Sequence, residues 1–187
     1  MNITTMDKQG RSMVDLASFD YTEKRRIFIF EAITDEMARR VITELDYLDS
    51  ISSEDITVCI NSPGGSVSAG LAILDAMKRC RCDIRTFGTG MCASMGAVLL
   101  ACGGTNGKRE ITANCEVMIH QPIGGVQGSA GEVELAAKRI VRTRQRLNRL
   151  LAEATGKTED RVGIDSDRDN FMTAGEALKY GLADKIV

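Results

Sequence analysis

Three kinds of residue in this chain could together make a hydroxyl group reactive: a serine among small neighbours, the only histidine, and a cluster of aspartates. Ser94 lies in Met91-Cys92-Ala93-Ser94-Met95-Gly96-Ala97, just after a strand-like run and at the start of a small-residue helix. A helix N-terminus favours the charge that develops on an attacked carbonyl oxygen, and small neighbours leave room for a substrate. The same place suits a plain N-cap serine. The G-x-S-x-G elbow pattern is not matched, because Cys92 stands where its first glycine belongs. His120 ends the apolar run Val117-Met118-Ile119 and precedes Gln121-Pro122 and a glycine-rich stretch. That position suits a general base reaching a neighbouring turn; a hydrogen-bonded structural histidine is the competing reading. Asp165, Asp167 and Asp169 share one short segment, and spacing does not choose among them or exclude a solvated turn. Gly64-Gly65, within Asn61-Ser62-Pro63-Gly64-Gly65-Ser66, offers N–H groups unshielded by side chains, as an oxyanion hole needs, or only a tight turn. Neither phosphate-loop pattern, G-x-x-x-x-G-K-[ST] or G-x-G-x-x-G, fits that segment.

The elements that must position these residues alternate between strand and helix. Ile27 to Phe30 reads as a buried strand, and Thr34 can cap a helix with Asp35 and Glu36 in its first turn. Met37, Val41, Ile42, Leu45 and Leu48 mark one face of that helix. Asp55 to Ile60 reads as a strand; Val67, Leu71, Leu74 and Met77 mark the next helix; Asp83 to Phe87 reads as a strand that Gly88-Thr89-Gly90 ends. Lys108 to Thr112 and Glu116 to Ile119 are further strands, and residues 121–130 form a glycine-rich loop. Residues 131–154 make a long charged helix with Val133, Ala137, Ile140, Leu147 and Leu151 along one stripe. Short helices near Thr158 and from Thr173 to Tyr180, then a strand over 182–187, complete the chain. Such alternation implies parallel strands joined by crossover helices, hence one α/β domain over residues 26–187. In such sheets functional groups gather at the carboxyl ends of strands, and the turns after Ile60, Phe87 and Ile119 qualify. Residues 1–25 are polar, show little periodicity and read as an N-terminal arm.

Composition narrows the function classes. With 43% hydrophobic and 27% charged residues in 187, the chain falls among globular proteins large enough for one sizeable core. A net charge of −2 gives no electrostatic reason to expect nucleic acid. The basic run from Lys138 to Arg149 is interrupted by apolar residues at helical spacing and reads as a solvated or interface-facing helix side. The apolar stretch from Ala97 to Cys102 is far too short to span a bilayer, and residues 1–13 lack the apolar core of a signal peptide. The six cysteines include no C-x-x-C pair, and one histidine is too few to join them in a metal site; buried free thiols in a reducing cytoplasm are expected.

Taken in order, the blocks Ile60-Asn61-Ser62-Pro63-Gly64-Gly65, Ala93-Ser94-Met95-Gly96-Ala97 and Val117-Met118-Ile119-His120-Gln121-Pro122 closely resemble the ClpP family of ATP-dependent serine peptidases. Matches continue through Gly124-Gly125-Val126-Gln127-Gly128, Asp165 to Phe171, and Gly175 to Leu182, so the resemblance covers roughly residues 26 to 187. It implies a crotonase-like α/β fold, in a single domain with a protruding handle helix over about 131–154. It implies Ser94 as nucleophile, His120 as base and Asp169 as the residue orienting the base, with the backbone N–H groups of Gly65 and Met95 as oxyanion donors. Residues Gly124, Gly125, Val126 and Gln127 match a segment that pairs with extended substrate as an added strand. Arg168 matches a ring-contact arginine. The expected assembly is two stacked seven-membered rings cleaving unfolded chains in the cytoplasm. No metal or cofactor is expected in this subunit, since ATP is spent by a partner, an AAA+ unfoldase of the ClpX, ClpA or ClpC type.

Departures from the pattern concern that partner. Thr57, Cys59, Arg79 and Thr89 stand where family members usually carry aromatic or apolar residues on the unfoldase-docking face. Each apolar side chain lost there forfeits burial of about 1–2 kcal/mol. A divergent second ClpP isoform, working as a structural or regulatory subunit of a mixed ring, is therefore the alternative. A third class is an acyl-CoA enzyme of the same superfold, which does not need a serine triad.

Overall fold

The computed structural model describes residues 2–7 and 10–187. Asn2–Asp7 (β1) and Gly10–Asp15 (β2) form an antiparallel hairpin, followed by a helix, Leu16–Thr22 (α1). The segment expected as an irregular arm thus carries regular structure, apart from residues 1, 8 and 9, which lie outside the described residues. Its strand alternation is too weak in sequence to stand out from a polar coil. Where the arm meets the domain, Arg25 takes a positive φ of 49° and is only 5% exposed. Its Nη2 donates to the carbonyls of Leu48 and Glu54, each at 3.0 Å. A guanidinium there supplies donors to carbonyls that a helix end leaves without partners.

The main sheet is built on Arg26–Ile29 (β3), Ile56–Ser62 (β4), Ile84–Ala93 (β5), Arg109–Ile111 (β6) and Lys185–Ile186 (β9), all parallel in that order. Helices Asp35–Ile51 (α2), Val67–Arg79 (α3) and Met95–Gly103 (α4) connect these strands and pack on one another. The expected faces of α2 and α3 are the buried ones, with Met37, Val41, Leu45 and Leu48 on the first and Leu71, Leu74 and Met77 on the second. Thr34 caps α2 as expected, accepting from the Met37 N–H at 3.2 Å.

One expectation fails in an informative way. Gly88-Thr89-Gly90 does not end β5, which runs on to Ala93. Instead the strand changes neighbour there. Thr86, Phe87 and Gly88 pair with β6, whereas Met91, Cys92 and Ala93 pair in parallel with Glu116–Ile119 (β7). A Cβ on Gly88 would lie 2.9 Å from Cys92 Sγ, and Gly90 takes φ +62° against the Asn61 side chain. Asn61 Oδ1 then accepts from the Met91 N–H at 3.1 Å. The glycines therefore permit a local bend rather than a stop. β7 in turn pairs antiparallel with Asn170–Met172 (β8), a strand too short to register in sequence.

The long helix spans Ala130–Thr155 (α5), within a residue of the expected limits at each end. Ser129 and Glu132 form a capping box at its start, and Gly156 at φ 70° ends it. Leu147 and Leu151 are buried, but Val133 and Ala137, at the other end of the expected stripe, are exposed. Glu159–Asp165 (α6) and Ala174–Tyr180 (α7) follow, and the terminal strand is limited to two residues. All six cysteines are free thiols, four of them buried. Cys59 is only 6% exposed, so of the four docking-face positions it offers little surface. No helix among the described residues is long and apolar enough to cross a membrane.

Arg109, 8% exposed, ties the far edge of the sheet to its surroundings. It donates to both carboxylate oxygens of Asp184 and, through Nη1, to the carbonyls of Ala154 and Gly181 at 2.9 Å each. Burial pulls the Asp184 carboxyl upward, but the hydrogen bonds and charge of Arg109 outweigh it and leave it below the usual carboxylate range. Its share of stability is therefore full above that range and is lost as pH falls through the lower, folded value. Arg109→Met should cost about 3–5 kcal/mol at neutral pH, read by denaturant unfolding, because it strands a partly buried carboxylate and two carbonyls. The acid-side loss attributable to Asp184 should be missing from the variant.

Candidate active site

Sheet pairing alone brings the three expected side chains together. Ala93 stands opposite Met118, so Ser94 emerges beside the end of β7, and the Ser94 N–H donates to the Met118 carbonyl at 2.8 Å. Ile119 stands opposite Asn170, so His120 and Asp169 leave the β7–β8 pair side by side. The outcome is one continuous hydrogen-bonded line. His120 Nε2 lies 2.9 Å from Ser94 Oγ, and His120 Nδ1 lies 3.0 Å from Asp169 Oδ1. With Nδ1 protonated and donating to the carboxylate, Nε2 is left as acceptor for the serine hydroxyl. That is the tautomer a general base requires.

Two alternatives left open by sequence close on this geometry. Ser94 stands at the N-cap of α4, yet its side chain makes no capping bond. Its backbone has φ 54° and ψ −118°, a conformation rare for a residue with a Cβ. A sharp strand-to-helix elbow is present although the first glycine of the elbow pattern is not. The three aspartates also separate. Asp165 accepts from Arg161 Nε and from the Tyr180 hydroxyl, each at 2.9 Å, and Asp167 accepts from Arg144 at 3.3 Å. Asp169 is the one that faces the imidazole, and its side chain remains 59% exposed against 16% for His120.

Gly64 lies directly against the elbow, and Gly65 against Ile33. Gly65, at φ +145°, bridges Ile33: the Ile33 N–H donates to the Gly64 carbonyl and the Ser66 N–H to the Ile33 carbonyl, both at 2.8 Å. This leaves the Gly65 N–H outside the bridge. Met95 begins α4, where the first N–H groups have no helical acceptor. The two expected oxyanion donors are therefore uncommitted to backbone acceptors among the described residues.

The remaining expected residues lie around this centre. Gly124, Gly125, Val126 and Gln127 belong to an exposed stretch without regular structure, and Gly124 rests against Ile140 of α5. Arg168 is exposed and has no ion-pair partner among the described residues. Sequence reasoning missed a narrow cavity of about 20 Å³ beside Ser94 and His120, walled by Val67, Val98, Ile119, Pro122, Leu147 and Leu151. Val67, Ile119, Leu147 and Leu151 gave a signal only as members of apolar runs and stripes; nothing in sequence aimed them at Ser94.

The arrangement can carry out acyl transfer: a hydroxyl with an adjacent base, an orienting carboxylate and two unshielded N–H groups. It also leaves no spare room. A Cβ on Gly64 would sit 2.7 Å from Ser94 Cβ and 2.8 Å from the Ala93 carbonyl oxygen, at φ +91°. Gly64→Ala should therefore slow acylation of Ser94 by a fluorophosphonate at least about tenfold, because it displaces the elbow. Thermal unfolding should register only a modest stability loss of about 1–3 kcal/mol.

The model of the Clp protease family matches residues 8–187. The match takes in nearly the whole chain, from β2 to β9, with Ser94, His120 and Asp169 inside it. Membership in that family implies peptidase activity, oligomeric rings and association with Clp ATPases. On a match of this extent, the chain belongs to the Clp protease family.

Proposed function

We propose that this chain is a serine endopeptidase, the proteolytic subunit of a self-compartmentalised, ATP-dependent Clp-type protease acting on unfolded polypeptides. The observation that carries the reading is the unbroken line from Ser94 Oγ through His120 to Asp169. In this reading Ser94 Oγ attacks the scissile carbonyl while His120 Nε2 takes its proton. Asp169 holds the Nδ1–H and stabilises the imidazolium. The N–H groups of Gly65 and Met95 receive the oxyanion. His120 then protonates the leaving amine, and water, activated by the same imidazole, releases the acyl-enzyme. These steps need no metal or cofactor in the subunit; ATP is spent by a partner unfoldase.

Other surfaces fit the same reading. The exposed stretch containing Gly124 to Gln127 has backbone groups available to an extended substrate. Val133, Leu135 and Val141 of α5 are exposed apolar residues on a handle that would meet a second ring. Arg168 would pair across rings.

A second reading is a divergent isoform serving mainly as a structural or regulatory ring subunit in the cytoplasm. It is favoured by the docking face, where Thr57 and Thr89 are half-buried and Arg79 is tied to Asp46. Reactivity separates the two. The peptidase should be labelled by a fluorophosphonate at Ser94 and should cleave a short fluorogenic peptide on a ring-sized particle. Ser94→Ala should abolish both, and Asp169→Asn should lower kcat by about 10⁴. Cleavage by Ser94→Ala at the wild-type rate would refute the proposal. For Arg168→Ala, native mass should show smaller particles with reduced turnover; an intact, fully active assembly would remove Arg168 from the ring contact.

A further inference from the structure

Asp169 presents a problem of position. Its carboxylate is more than half exposed, and His120 is its one hydrogen-bond partner among the described residues. An exposed pair of this kind is too weak to hold a flexible chain in place by itself. The backbone around Asp169 must therefore be fixed by other contacts. Several are present. Ser166, 1% exposed, donates to the Val162 carbonyl at 2.8 Å, and Asn170 Nδ2 donates to the Asp165 carbonyl at 3.0 Å. These tie the segment to itself and to α6. Beyond the His120–Asp169 pair itself and the Ile119–Asn170 pairing of β7 with β8, one side chain ties it to the strand end that carries the imidazole: Gln121 Nε2 donates to the Asp167 carbonyl at 2.6 Å and lies 3.5 Å from Asp167 Oδ1.

We propose that Gln121 is a positioning residue for the Ser94–His120–Asp169 line, acting by locking Asp167 to the chain next to His120. The inference rests on the function proposed above. The contact closes a small ring of alternating covalent and hydrogen-bonded links, running from His120 to Gln121, across to Asp167, along Arg168 to Asp169, and back to His120. The β7–β8 pairing holds this ring at Ile119 and Asn170, and the Gln121 link holds its far side, so opening that link loosens the turn that carries Asp169. Two neighbours prepare the brace. Pro122 restricts the backbone of Gln121 to extended conformations. Arg144 of α5 donates to the Asp167 carboxylate and to the Gly163 carbonyl, both at 3.3 Å. Gln121 itself is only half-buried, so truncating its amide opens no core cavity.

The test uses two variants of the full chain. Gln121→Met keeps length and volume but has no donor; Gln121→Lys restores a donor able to reach the Asp167 carbonyl. Gln121→Met should lower kcat for a fluorogenic peptide by about tenfold to a hundredfold, with KM changed less than about twofold, as expected when geometry alone is lost. Thermal unfolding should be unchanged. His120 is the only histidine, so its Nδ1 proton is an unambiguous NMR reporter. That proton should move upfield in Gln121→Met and return, together with most of kcat, in Gln121→Lys. Wild-type kcat and an unmoved Nδ1 proton in Gln121→Met would overturn the inference, as would a loss carried wholly by KM. Failure of the catalytic reading looks different: Ser94→Ala would still cleave, while the Nδ1 proton would continue to report on the brace.

Discussion

Halfway along β5 the backbone bends through Gly88 and Gly90, and the strand exchanges β6 for β7 as its hydrogen-bonded neighbour. The position of every reactive group depends on that exchange. It parts the last three residues of β5 from β6 and sets them beside β7, which in turn recruits β8, while Cys92 stays paired with Ser62 of β4. Ser94, His120 and Asp169 are each the first residue beyond an end of β5, β7 or β8. Backbone pairing, which is cooperative and largely indifferent to side chains, thereby fixes the spacing of three groups separated by up to 75 positions in the chain. A conventional parallel sheet would have left β7 on the far side of β6.

The site is rigid on one side and loosely held on the other. Ser94 rests on a fully packed base: Cys92, Ala93 and Met95 around it are buried, and Gly64 fits flush against it. A strained φ can persist there because the surrounding core determines it. Asp169 has no such support and is held by its backbone. The fixed nucleophile and the peripherally braced carboxylate meet only through one imidazole. The other carboxylates of the segment over residues 165–169 are committed to Arg161, Tyr180 and Arg144.

The apolar faces of α2 and α3 and the capping of α2 were legible in sequence because each depends on neighbours three or four residues away. Motif resemblance singles out Ser94, His120 and Asp169 where local spacing does not, and the family match over residues 8–187 agrees with the family that carried the resemblance. The errors share one cause. In sequence Gly88 and Gly90 read as strand terminators because glycine usually interrupts strands; the bend they allow has meaning only with Asn61 and β7 in place. β8, at three residues, is too short to show a period, and pairing with β7 alone makes it a strand; the terminal strand expected over 182–187 is present but limited to Lys185–Ile186.

Periodicity, capping and composition are local properties, and they suffice for an α/β chain with a long charged helix and a small set of reactive residues, with Asp169 chosen by motif resemblance. That Ser94 bends instead of capping its helix and that Gln121 reaches Asp167 are visible only in the folded chain. Those outcomes are distances between strand ends far apart in the chain, and only the registers of β5 with β7 and of β7 with β8 specify them.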